Sequence, residues 1–111
     1  MALTAGQLAQ EKKAYSVCIL DLRKLSPVTD FFVICSVDAE TQARAVSDHI
    51  TDKLREKGLR PWHTEGYRGS GWVLLDFVDV VVHVFMPRVR EFYALEKLWG
   101  DAPKRELPNE G

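Results

Sequence analysis

Trp72-Val73-Leu74-Leu75-Asp76, then Phe77-Val78-Asp79, then Val80-Val81-Val82-His83-Val84-Phe85 is the stretch that settles the class of fold. Two apolar runs, the second rich in β-branched residues, stand three residues apart, which predicts an antiparallel hairpin. Phe31-Phe32-Val33-Ile34-Cys35 and Tyr15 to Leu22 are further runs of the same kind. Their apolar residues are continuous, not alternating with polar ones. Strands like these are covered on both faces, so the expectation is a sheet with helices packed on it.

Ala39, Ala43, Val46, Ile50 and Leu54 recur at spacings of four, three, four and four. That stripe predicts a helix over 39–57, with Asp38 as its cap, Glu40 in its first turn and Gly58 ending it. Leu3 to Ala14 is helix-prone. Leu59 to His63 reads as a short extended piece that Pro61 confines to an edge. Glu65 to Gly71 is a glycine-rich loop. Pro87 opens a final helix over 88–99, with Phe92, Leu95 and Leu98 or Trp99 as its buried stripe. The expected fold is a single α/β (α+β) domain over residues 1–102. It holds a mixed sheet of about five strands flanked by helices, with 103–111 a flexible tail.

Composition narrows the function. A length of 111 residues suits one domain, and 46% hydrophobic residues exceed what a disordered chain carries. Fifteen Lys and Arg against sixteen Asp and Glu leave a formal charge of −1. A binder of phosphate backbones wants a basic excess, so no sequence-specific nucleic-acid partner is expected. No apolar run approaches the roughly 20 residues of a membrane helix, and Met1 to Lys13 has no signal-peptide core. The expectation is a cytoplasmic protein without a membrane partner.

The residues that carry chemistry elsewhere read as structural here. Cys18 and Cys35 sit inside apolar runs and lack a CxxC context. His49, His63 and His83 stand in no zinc spacing, so no metal and no cofactor is expected. Gly66 to Gly69 has the spacing of a backbone-clamping GXXG, but a strand follows it where a helix is needed. Gly69-Ser70 followed by Asp76 and Asp79 suggests a nucleotidyltransferase. However, two metal-binding carboxylates on one strand face stand two apart, and these stand three apart across a turn. No catalytic residue is assigned.

The hairpin tip stands out. Phe77-Val78 occupies a turn where Gly, Asn or Asp is preferred. Two readings stay open: a helix covers these groups, or they form an exposed apolar patch with an acidic rim, as protein-binding sites do.

Several strings of this sequence resemble the Iojap, or ribosomal silencing factor, family. They are Leu25-Ser26 with Thr29-Asp30-Phe31-Phe32-Val33-Ile34, then Glu65-Gly66, then the hairpin strands, then Arg90-Glu91-Phe92-Tyr93-Ala94-Leu95-Glu96-Lys97-Leu98-Trp99. The resemblance spans about Ser16 to Ala102. It implies a nucleotidyltransferase-like fold without the catalytic site and no enzymatic activity. It also implies binding to the large ribosomal subunit through its protein fourteen, which blocks joining of the small subunit, and a tendency to form homodimers. The alternatives are a nucleotidyltransferase-like enzyme and an RNA-binding module for ribosome assembly. The sequence departs from the family in having Phe77-Val78 where a glycine usually precedes the second hairpin Asp, and Phe31 where Tyr is usual. Pro87 stands where an acid is often found.

Ribosomal proteins are basic, so the hairpin is the expected docking site. Trp72 and Phe77 are its expected anchors, Leu74 and Val78 lie beside them, and Asp76 and Asp79 are the electrostatic partners. Tyr93 is expected either at a dimer contact or packed beside the hairpin.

Overall fold

The structure is a computed structural model that describes residues 1–66 and 69–109. Its helices are α1 (Ala2–Glu11), α2 (Glu40–Glu56), α3 (Pro87–Tyr93) and α4 (Leu95–Leu98). Its strands are β1 (Tyr15–Asp21), β2 (Phe31–Ser36), β3 (His63–Glu65), β4 (Trp72–Asp76), β5 (Val80–Phe85) and β6 (Lys104–Glu106). They form one sheet in the order β3-β4-β5-β2-β1-β6. Only β2 and β5 run parallel; the other pairs are antiparallel. The fold is thus an α+β domain around a mixed sheet, with six strands rather than five.

The continuous apolar runs have the expected cause, since each strand feeds two cores. Val33, Cys35, Val80, Val82, Val84 and Leu75 point to one face, where α1 and α2 lay down Ala5, Leu8, Ala9, Val46, Ile50 and Leu54. Cys18, Leu20, Ile34 and Phe85 point to the other, against Val89, Leu95 and Trp99. Side chains alternate across a strand, so Cys18 and Cys35, on neighbouring strands, lie on opposite faces. Burial raises the Cys18 thiol to about 11 and the Cys35 thiol to about 12. Both therefore stay protonated and unreactive, as core residues.

Four expectations need correction. First, residues 103–109 are no loose tail: β6 pairs with β1, Leu107 is buried, and the Gln10 side-chain amide donates to the Pro108 carbonyl at 2.7 Å. Residues 110 and 111 lie outside the described residues. Second, the final helix breaks at Ala94, which takes φ of 46°. The break turns Phe92 and Leu98 outward, Phe92 to 79% exposure, while Leu95 and Trp99 pack on the sheet. Third, Asp38 does not cap α2; it accepts the Tyr15 hydroxyl at 2.7 Å, and its N–H goes to the Gln42 side chain. Fourth, the short edge strand is His63–Glu65 rather than 59–63. In the glycine loop, Tyr67 and Arg68 lie outside the described residues. Gly71 needs to be glycine, with φ of 71° and Val89 Cγ2 only 2.7 Å from where a Cβ would stand.

Arg90 pins α3 and α4 to the sheet. Its guanidinium donates to Glu96 Oε1 at 2.7 Å, the Ser16 carbonyl at 2.7 Å and Ser36 Oγ at 2.8 Å. Burial works to raise the Glu96 carboxyl, yet Arg90 and Lys104 hold it below the usual range. α3 lies over β5, with Tyr93 against Trp72 of β4, and part of the β4–β5–β2 surface stays uncovered.

Candidate functional site: an uncovered groove on the second sheet face

Hairpin register builds the floor of this surface. Leu74 pairs with His83, Asp76 with Val81, and Val81 with Phe32 of β2. The side-chain period of two brings all five onto one face. The walls come from loops: Val28 and Thr29 before β2, Trp62 before β3, Val78 at the hairpin tip and Trp99 after α4. Together they enclose a groove of about 680 Å³. Trp62 is 75% exposed, and its N–H donates to the Asp76 carbonyl at 2.7 Å, which holds it beside β4.

Aromatic rings continue across the face. Trp99 meets Phe32 edge-on at 6.2 Å, and Phe32 meets His83 at 4.5 Å. Trp72 lies 5.8 Å from His83, 4.9 Å from Phe85 and 4.7 Å from Tyr93. Asp76 is the one carboxylate among the groove-lining residues, and none of them is Lys or Arg. Asp30 and Asp79 lie at the same end of the sheet, where the Asp30 N–H donates to the Asp79 carbonyl.

The hairpin tip is a three-residue loop. Phe77 N–H donates to the Val80 carbonyl, and Asp79 N–H returns to the Phe77 carbonyl at 3.0 Å. Val78 sits at the centre of this tight turn with φ of 76°. That is the rarer, left-handed γ-turn, and it is strained for a β-branched residue. Asp76 Oδ1 accepts the Val78 N–H at 2.7 Å and braces the turn.

The structure divides the expected site. Leu74, Asp76 and Val78 line the groove. Phe77 does not: it is only 9% exposed and packs in the α1–α2 core on the opposite face. Counting by twos from Leu75 puts it there. Trp72 is half-buried and braces Phe85 and Tyr93 rather than standing free. Asp79 is exposed on the tip, outside the groove lining. Tyr93 stacks against its own chain's Trp72 and stays partly exposed. Val28, Thr29, Phe32, Trp62, Val81, His83 and Trp99 were not expected. Trp62 carried a signal, as an aromatic in an otherwise polar stretch after Pro61.

His83 is the unusual member. It is 3% exposed and its Nδ1 accepts the Trp72 indole N–H at 3.2 Å. Indole nitrogen only donates, so Nδ1 carries no proton and Nε2 does. Burial lowers the imidazole from 6.5 to about 3. Between those values the unfolded chain binds a proton that the folded chain does not, so stability falls as pH falls through this interval. Between pH 7 and 5 the expected loss is about 2 kcal/mol. Asp21, held down to about 2 chiefly by the Arg23 hydrogen bond, and Glu96 act only at lower pH. Urea midpoints at the two pH values measure the loss, and His83→Gln should flatten it. An equal slope in the variant would assign the effect to other groups.

A family model described as ribosomal silencing factor during starvation matches residues 1–111. The chain belongs to the ribosomal silencing factor family. The ribosomal silencing factor of Halalkalibacterium halodurans is 44% identical over 103 residues, covering 93% of this chain and 88% of that one. That of Bacillus subtilis is 41% identical over 103 residues, covering 93% and 87%. A crystal structure from Bacillus halodurans superposes with a TM-score of 0.81 at 39% identity, covering 95% of each chain. The relatives' names denote a regulatory role. No described helix is long and apolar enough to cross a membrane.

Proposed function

We propose that this protein docks on the large ribosomal subunit through ribosomal protein fourteen, with the groove as its contact, and so keeps the small subunit from joining. The observation that carries the reading is an uncovered apolar groove whose one charged lining side chain is an acid, Asp76. Such a surface suits an apolar projection on a basic protein. Membership of the ribosomal silencing factor family supports the same reading. Silencing of this kind needs affinity and bulk and no chemical step, so we assign no catalysis; the place of action is the cytoplasm, where translation occurs. The near-neutral charge speaks against an RNA-binding module.

The test is a subunit-joining assay on sucrose gradients. Excess protein should migrate with large subunits, be absent from joined ribosomes and lower the joined fraction. Isolated protein fourteen should compete. Joining at the normal level in the presence of excess protein would overturn the reading.

A further inference from the structure

We propose that His83 is a specificity-determining donor of the groove, whose Nε2–H receives an uncharged carbonyl oxygen inserted by the docked protein. The inference rests on the docking reading and adds the chemistry that the partner must bring. Among the described residues, His83 Nε2 and Thr29 Oγ1 are the buried side-chain polar atoms without a hydrogen-bond partner. Both residues line the same groove. Buried polar groups are nearly always paired, so two buried orphans on residues that line one groove mark where a partner's atoms complete the structure.

Packing alone does not ask for histidine at position 83. Its ring stacks on Phe85 and meets Phe32 edge-on, contacts that a phenylalanine would also make. Accepting the Trp72 N–H accounts for Nδ1 and leaves Nε2 unpaired. The tautomer follows from the same contact, so the unpaired atom is an N–H that wants an oxygen. Asp76 on the same lining makes a carboxylate an unfavourable occupant. A neutral carbonyl meets no such repulsion. Main-chain carbonyls at helix C-termini and in loops lack internal partners and are suited to this role. The Thr29 hydroxyl, which both donates and accepts, is placed to share the same occupant.

Two variants test the role. His83→Gln keeps an N–H donor of similar reach, and His83→Met keeps the bulk without one. Binding is measured by cosedimentation with purified large ribosomal subunits, and folding by thermal unfolding at pH 7. His83→Met should bind about tenfold more weakly, and His83→Gln should recover most of the loss. In a complex with isolated protein fourteen, the Nε2 proton of ¹⁵N-labelled His83 should shift downfield and exchange more slowly. Wild-type affinity in folded His83→Met, or equal weakening in both variants, would overturn the donor role while leaving the docking surface intact. Failure of the wild-type protein to cosediment at all would overturn the docking reading and this inference together.

Discussion

Trp62→Ala is expected to weaken capture of large ribosomal subunits about 30-fold while leaving the unfolding temperature in place. The side chain is 75% exposed, so its removal takes little from the folded state. Surface substitutions of this type usually move stability by less than about 0.5 kcal/mol. Its backbone is fixed by the Asp76 carbonyl, and its ring walls the groove. A pre-positioned Trp at the edge of an apolar groove is the residue type that dominates interface energies, with truncation costing about 2 kcal/mol. That cost corresponds to the stated 30-fold change. Trp72 is a poorer probe, because its loss removes contacts with Phe85 and Tyr93 and the hydrogen bond to His83. Cosedimentation titrations of folded Trp62→Ala measure the effect. Affinity equal to wild type would move the docking site off the groove.

Ending the chain after Ala102 should cost at least about 3 kcal/mol, a large part of the 5–15 typical of a domain. Pro103 accepts the Asp21 N–H, β6 pairs with Cys18, Ile19 and Leu20, and Leu107 N–H donates to the Val17 carbonyl. Leu107 fills the space beside Gly6, with its Cδ1 2.8 Å from where a Cβ on Gly6 would stand. Core Leu→Ala changes alone cost about 2–5 kcal/mol. Truncation also leaves the buried Gln10 amide without its Pro108 acceptor and exposes the β1 edge to other chains. Urea midpoints of the truncated and complete proteins, with Leu107→Ala as the smaller step, decide it. An unchanged midpoint would mean that this strand holds nothing together.

The same strand shows where sequence reading stops. Lys104, Arg105 and Glu106 are exposed and charged, and nothing in them has a strand's apolar pattern. They are a strand because β1 has a free edge, which is a fact about distant residues. By contrast β1, β2, β4, β5 and α2 were legible, since their apolar spacing reports burial directly. Phe92 misled because the helical period carried past Ala94, where a left-handed residue resets it. Of the groove lining, Leu74, Asp76 and Val78 were singled out in the hairpin, while Phe77, expected beside them, lies on the opposite face. A period of two separates Phe77 from Leu74 but does not say which side the helices cover. His83 looked like an ordinary core residue because its unpaired nitrogen is visible only beside its neighbours.

The valine at the hairpin tip has one further consequence. A glycine at position 78 would accept φ of 76° without strain but would leave the loop many alternative shapes. Valine, braced by the Asp76 carboxylate, permits few. The lip of the groove is therefore preorganised: its ordering belongs to folding, and an arriving partner meets a surface already in its binding shape.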